Sequence, residues 1–138
     1  MRIERFEDLI AWQKARKLVS AVYELTSKDP LLHDFALRDQ LRSAVISIPA
    51  NIAEGFERSR LREFHQFLSI AKASCAEVRT YLYIVGDVGY AKPEKILAAA
   101  EEVARIIGGL RSSVAAKLKT RLRTQDSGLR TRKCSSKT

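Results

Sequence analysis

Residues 47–57 read SIPANIAEGFE. Leu37, Leu41, Val45, Ile48, Ile52 and Phe56 recur at steps of three and four across this stretch, the spacing of one helical face, and the face passes straight through Pro49. A proline inside a helix deletes one backbone hydrogen bond, here the one to the Val45 carbonyl, and crowds that carbonyl at a cost of about 3 kcal/mol. The apolar phase survives on both sides of it, so the spacing predicts one kinked helix and not two. Ser47 and Asn51 can hydrogen-bond the freed backbone groups, and Glu54 can take a backbone N–H or a neighbouring Arg. Gly55 marks either a close helix contact or the approach to the helix end. The base expectation for this cluster is a packing kink, with a ligand site as the alternative.

The segments on either side are helical as well. Leu9, Trp12, Val19, Val22 and Leu25 give a first helix over about 6–27, ended near Asp29-Pro30 because the residue before proline is pushed out of the helical region. A third helix, about 60–88, carries a heptad seam of Phe64, Leu68, Ala71, Cys75, Val78, Leu82 and Val85. A second seam lies beside it: Phe67, Ile70, Ser74, Glu77, Tyr81, Ile84 and Val88. Two seams on one helix are more than one neighbour can cover. After Gly86, Gly89 and a turn around Tyr90, Pro93 suits the first turn of a fourth helix with Ile96, Val103, Ile107, Leu110 and Val114 inward, reaching about Lys119. Gly108-Gly109 weakens that helix. No segment alternates like a strand. The predicted fold is all-α, an antiparallel up-and-down four-helix bundle over residues 1–119, followed by a disordered basic tail over 120–138.

The charge is uneven. The 138 residues carry a net +9, but residues 117–138 hold eight Lys and Arg against Asp126 alone, a net +7 that leaves only +2 for residues 1–116. An excess of this kind favours a polyanionic partner, RNA or DNA, with a solubilising tail as the bland alternative. Cys75 and Cys134 make no disulfide framework, MRIERFEDL has no apolar leader, and no run approaches the 18 or so apolar residues of a membrane span. The expectation is a reduced, cytoplasmic protein with no membrane role.

Phosphate loops, metal-ligand spacings and nucleophile motifs are missing from the sequence, so no enzyme activity, metal or cofactor is expected. Basic groups form the candidate nucleic-acid-binding set: Lys14, Arg16 and Lys17 on the first helix, Arg38 and Arg42 on the second, and Arg58, Arg60 and Arg62 at the turn that follows. Lys117, Lys119, Arg121 and Arg123 lead into the tail. A solvated polar face is the bland reading of each group.

The runs FEDLIAWQKARKLVSAVYELT, QLRSAVISIPANIAEGFERS, EFHQFLSIAKASCAEV and TYLYIVGDVGY together resemble a bacterial four-helix-bundle family, often encoded by intervening sequences within large-subunit ribosomal RNA genes. The resemblance spans roughly residues 5–115. Trp12-Gln13, Gln40-Leu41-Arg42, Ser47-Ile48-Pro49, Asn51 to Gly55 and Ser74 stand at the family's characteristic positions, with Pro49, Asn51, Glu54 and Gly55 as its motif. It implies a homopentamer, which would give the second seam, at Phe67, Ile70, Tyr81 and Ile84, a subunit interface to occupy. Related accessory proteins of diversity-generating retroelements bind nucleic acid through basic surfaces and contact a reverse transcriptase. Here Ala36-Leu37-Arg38-Asp39 replaces the family's Gly-Leu-Thr, and Ser43 stands where a second Arg often follows Arg42, which weakens the basic face of the second helix. Two functions compete: an oligomeric, non-enzymatic nucleic-acid binder or RNA–protein adaptor, and a structural or protein-interaction module with no nucleic-acid role.

Overall fold

The computed structural model describes residues 2–135, with side chains described for residues 2–128. It contains four helices, α1 Ile10–Thr26, α2 Phe35–Glu57, α3 Leu61–Asp87 and α4 Glu94–Ser135, and no strand among the described residues. Each helix packs against the next and α1 closes on α4. Pairings such as Gln40 with Tyr81, Ser47 with Ser74 and Lys14 with Glu102 run in opposite chain directions, so the bundle is antiparallel and up-and-down. Among the described residues, no helix is long and apolar enough to cross a membrane.

Local chemistry sets the helix ends. Phe6–Asp8 forms a separate 3-10 turn instead of the first turn of α1, and it is held by Gln13 Nε2 donating to the Glu7 carbonyl (2.9 Å) and by Phe6 edge-on to Trp12. Asp34 caps α2, its Oδ1 accepting from the Leu37 amide at 3.2 Å. Gly89, at φ +77°, ends α3: the Tyr90 amide reaches the Val85 carbonyl and the Gly89 amide reaches that of Gly86, the paired closure that a left-handed residue permits. Pro93 lies just before α4 and accepts from the Leu97 amide.

The first seam of α3 is the core. Leu68, Ala71, Cys75, Val78, Leu82 and Val85 are buried together with Leu18 and Val22 of α1, Leu41, Val45, Ile48 and Ile52 of α2, and Val103 and Ile107 of α4. Fully burying a side chain of this size contributes about 1.5–3 kcal/mol. The apolar face of α2 does pass through Pro49, and the helix is continuous on both sides of it. Asn51 Nδ2 donates to the Ser47 carbonyl and Ser47 Oγ to that of Ala44, both over 2.7 Å. These polar side chains therefore back-bond to the turns around the proline, and neither takes up the Val45 carbonyl that Pro49 frees. At Gly55 the close-contact reading is the right one: an added Cβ would stand 2.5 Å from the Phe67 Cβ, so α3 crosses where α2 has no side chain.

Helix α4 does not stop near Lys119. It runs to Ser135. Beyond Pro93 the chain has no proline, its Lys, Arg, Leu and Ala residues are good helix formers, and Thr120 and Thr124 hydrogen-bond back one turn. Extending a helix already nucleated by packing fixes only one residue per added bond, so propagation is cheap even where nothing is buried. Residues 119–128 are exposed throughout. The side chains of 129–135 and all of 136–138 lie outside the described residues.

Candidate nucleic-acid interface

Up-and-down topology sorts charge that looks scattered in the sequence. One end of the bundle gathers the α1–α2 and α3–α4 links, where the carboxylates Glu24, Asp29, Asp34, Asp39, Asp87 and Glu94 stand beside Lys28, Arg38, Arg42, Lys92 and Lys95 and nearly balance them. The opposite end gathers the N-terminal segment, the α2–α3 turn and the outgoing half of α4, and with them Arg2, Arg60, Arg62, Lys117, Lys119, Arg121 and Arg123.

A cleft of about 820 Å³ opens at that basic end. Ser59 and Arg60 of the α2–α3 turn form one wall, with Ser59 held at φ +59°, a left-handed conformation that is uncommon for a residue with a side chain. Arg2, Ile3 and Glu4 pass across it, and α4 supplies the far wall through Leu110, Ser113, Val114, Lys117 and Arg121. Its apolar lining is completed by Leu9, Phe56, Leu61 and Phe64, the two phenylalanine rings meeting edge to face at 5.9 Å. Arg2, Arg60, Lys117 and Arg121 line it without an ion pair among the described residues, and Glu4 is its one carboxylate. Just outside, Arg5 and Glu7 pair with each other, which holds the Glu7 carboxyl below the usual range and neutralises both.

The other expected cations divide into bound and free. Arg42 is structural: Nε donates to Thr26 Oγ1 at 2.7 Å, Nη2 lies 3.4 Å from Ser27 Oγ, and the guanidinium stacks on Tyr23 at 4.5 Å. Arg38 is similarly engaged with Asp39, the Leu32 carbonyl and the Phe35 ring. Lys14 pairs with Glu102 at 3.2 Å, Arg58 with Glu54 at 3.1 Å and with the Phe67 ring, and Arg16 lies over Trp12. Lys17, Arg62, Lys119 and Arg123 are exposed, with no ion pair among the described residues, but they stand outside the cleft. Of the twelve basic residues singled out from the sequence, the fold brings Arg60, Lys117 and Arg121 together.

Arg2 was missed because an N-terminal arginine has no periodic context to place it. A second basic group was missed too: Lys72, Arg79 and Arg105 line a smaller cavity of about 360 Å³ between α3 and α4, opposite Glu101. The seven-residue spacing of Lys72 and Arg79 is the sequence signal that could have found it. Arg79 Nε is buried with no hydrogen-bond partner among the described residues.

The second seam of α3 lies along the outer side of its contact with α2. Phe67 and Tyr81 are half-buried, the Tyr81 hydroxyl reaching Gln40 Oε1 at 3.4 Å, while Ile70 is 47% exposed, Ile84 38% and Val88 53%. Residues 7–112 match the 23S rRNA-intervening sequence proteins. The chain belongs to this family. No curated protein matches it. In this member of the family, the characteristic positions hold the bundle together: Trp12 and Gln13 fasten the N-terminal turn, Ser47 and Ser74 bridge α2 and α3, and Gly55 admits Phe67. The cleft draws Arg60 from the matched region, and Arg2, Lys117 and Arg121 from outside it.

Proposed function

We propose that this 23S rRNA-intervening sequence protein is a non-enzymatic, cytoplasmic homo-oligomer that binds RNA or DNA through the basic end of its bundle. The observation that carries this reading is the convergence of Arg2, Arg60, Lys117 and Arg121, all without ion pairs among the described residues, on one cleft. Cations left unpaired and clustered attract phosphates more strongly than those neutralised in ion pairs, such as Lys14 with Glu102. Oligomerisation rests on the second seam, where Ile70, Ile84 and Val88 remain exposed on one chain; five copies is the stoichiometry proposed, and a ring of copies would multiply the basic ends.

Fluorescence anisotropy of labelled RNA with the full-length chain tests binding. Four phosphate contacts predict a log–log salt slope of about −3 on a single strand, since each contributes about −0.7. Replacing Arg60, Lys117 and Arg121 with Glu should abolish binding at about 50 mM salt, where screening is weak. Absence of wild-type binding at that salt would leave the protein-interaction module in place, a reading the exposed apolar residues of α3 also support. A light-scattering mass near the 15.6 kDa of one chain at micromolar concentration would remove the oligomer.

A further inference from the structure

We infer that the basic-end cleft receives an unstacked nucleobase, so that the protein selects unpaired nucleotides over duplex; this rests on the nucleic-acid reading above. A surface that held only phosphates would need cations and no apolar lining. Here the cations stand among Leu9, Phe56, Leu61, Phe64, Leu110 and Val114, in a concavity whose volume is within the usual range for small-ligand sites. Bases in a duplex are stacked and present only their edges, so they gain nothing from such a lining. An unpaired base can leave the strand and bury its faces against aromatic and aliphatic side chains while its phosphates reach surrounding arginines. The hydroxyls of Ser59 and Ser113, both lining residues, offer hydrogen bonds to a base edge without the charge that would select one base.

The cleft exists because α4 outlasts its neighbours. Leu118 is the last residue of α4 packed against the core, and Arg121 lies one turn further on, so Lys117 and Arg121 face the N-terminal segment and the α2–α3 turn across an open gap. The four cations oppose the single carboxylate of Glu4, which favours a ligand carrying several negative charges around a flat apolar body.

The test uses the full-length protein and three labelled RNAs with equal numbers of phosphates: a single strand, a blunt-ended duplex without a loop, and the same single strand with abasic positions. Losing one stacked base costs roughly 5- to 150-fold in affinity. The single strand should bind at least about tenfold tighter than the duplex and the abasic strand. Ser113→Trp fills the cleft without removing a cation and should erase that preference while leaving the salt slope intact. Ser112→Trp, exposed on the same helix but outside the cleft, should behave as wild type. Equal affinity for all three RNAs with the salt slope retained would overturn base insertion and leave phosphate binding standing. Displacement of the strand by polyglutamate of equal charge as readily as by unlabelled RNA would also overturn it. Failure of every RNA to bind at about 50 mM salt would sink both readings.

Discussion

The Tyr90 hydroxyl donates to Asp34 Oδ2 over 2.9 Å, tying the link between α3 and α4 to the residue that caps α2. The hydrogen bond to Asp34, then partial desolvation and the aspartate's charge, push the Tyr90 hydroxyl above its ordinary value. The protonated phenol is the form that donates. Its contribution is therefore complete below the ordinary tyrosine value and is lost as pH rises through the higher folded one. Tyr90→Phe should lower the urea midpoint by a constant amount between pH 7 and pH 9, and the gap to wild type should close above about pH 10. Asp34→Ala loses both the cap and the tyrosine bond and should cost more than Tyr90→Phe, with about 1 kcal/mol from the cap alone.

Two glycines should respond with opposite signs. At Gly55 an added Cβ meets the Phe67 Cβ at 2.5 Å, an atom fixed to the α3 backbone, so Gly55→Ala must push the helices apart at a cost of about 1–3 kcal/mol. At Gly109 nothing stands within 4 Å of an added Cβ and the backbone is helical, so Gly109→Ala should stabilise by up to about 1 kcal/mol. Urea denaturation of both variants checks the pair; equal signs would contradict the packing at Gly55.

Arg42 and Arg60 separate structure from binding. Arg42→Ala strips a donor from the fully buried Thr26 and a stacked guanidinium from Tyr23, and should cost about 1–2 kcal/mol of stability while leaving RNA affinity nearly unchanged. Arg60→Ala should leave stability within about 0.5 kcal/mol and weaken RNA binding. Parallel denaturation and anisotropy measurements on both variants show whether the order is as stated.

Burial pushes the Cys75 thiol up to about 12, only partly offset by the charge of Arg79. A thiol held protonated and without solvent access reacts only when the bundle opens. In a Cys134→Ser background, labelling at pH 8 should therefore follow the global unfolding equilibrium and slow in proportion to added stability. Stoichiometric labelling within seconds would place Cys75 at the surface.

The outgoing end of α4 should be dispensable to the fold. Leu118 is packed against the core, whereas residues 119–128 are exposed. A chain cut after Lys119 should keep its urea midpoint and lose the RNA affinity supplied by Arg121. Amides beyond Lys119 should also exchange with solvent far faster than those around Ile107.

The sequence by itself determined the four helices and the buried faces of α2 and α3. Steps of three and four through Leu41, Val45, Ile48 and Ile52, and the heptads of α3, are local periodicities, and a helix writes its buried face at fixed intervals whatever it later packs against. The same periodicity carried α2 through Pro49, because a single lost hydrogen bond does not shift the apolar phase. Composition marked where α4 stops burying anything, just after Leu118, whereas the helix itself extends to Ser135 because a nucleated helix can propagate without a partner. The roles of the arginines were decided only by tertiary structure. Arg42 and Arg60 are indistinguishable as letters; one meets Thr26, Ser27 and Tyr23 across the α1–α2 contact, while the other meets Arg2, Lys117 and Arg121 across a cleft. Charge has no period, and what a cation can bind depends on which distant residues the topology places beside it.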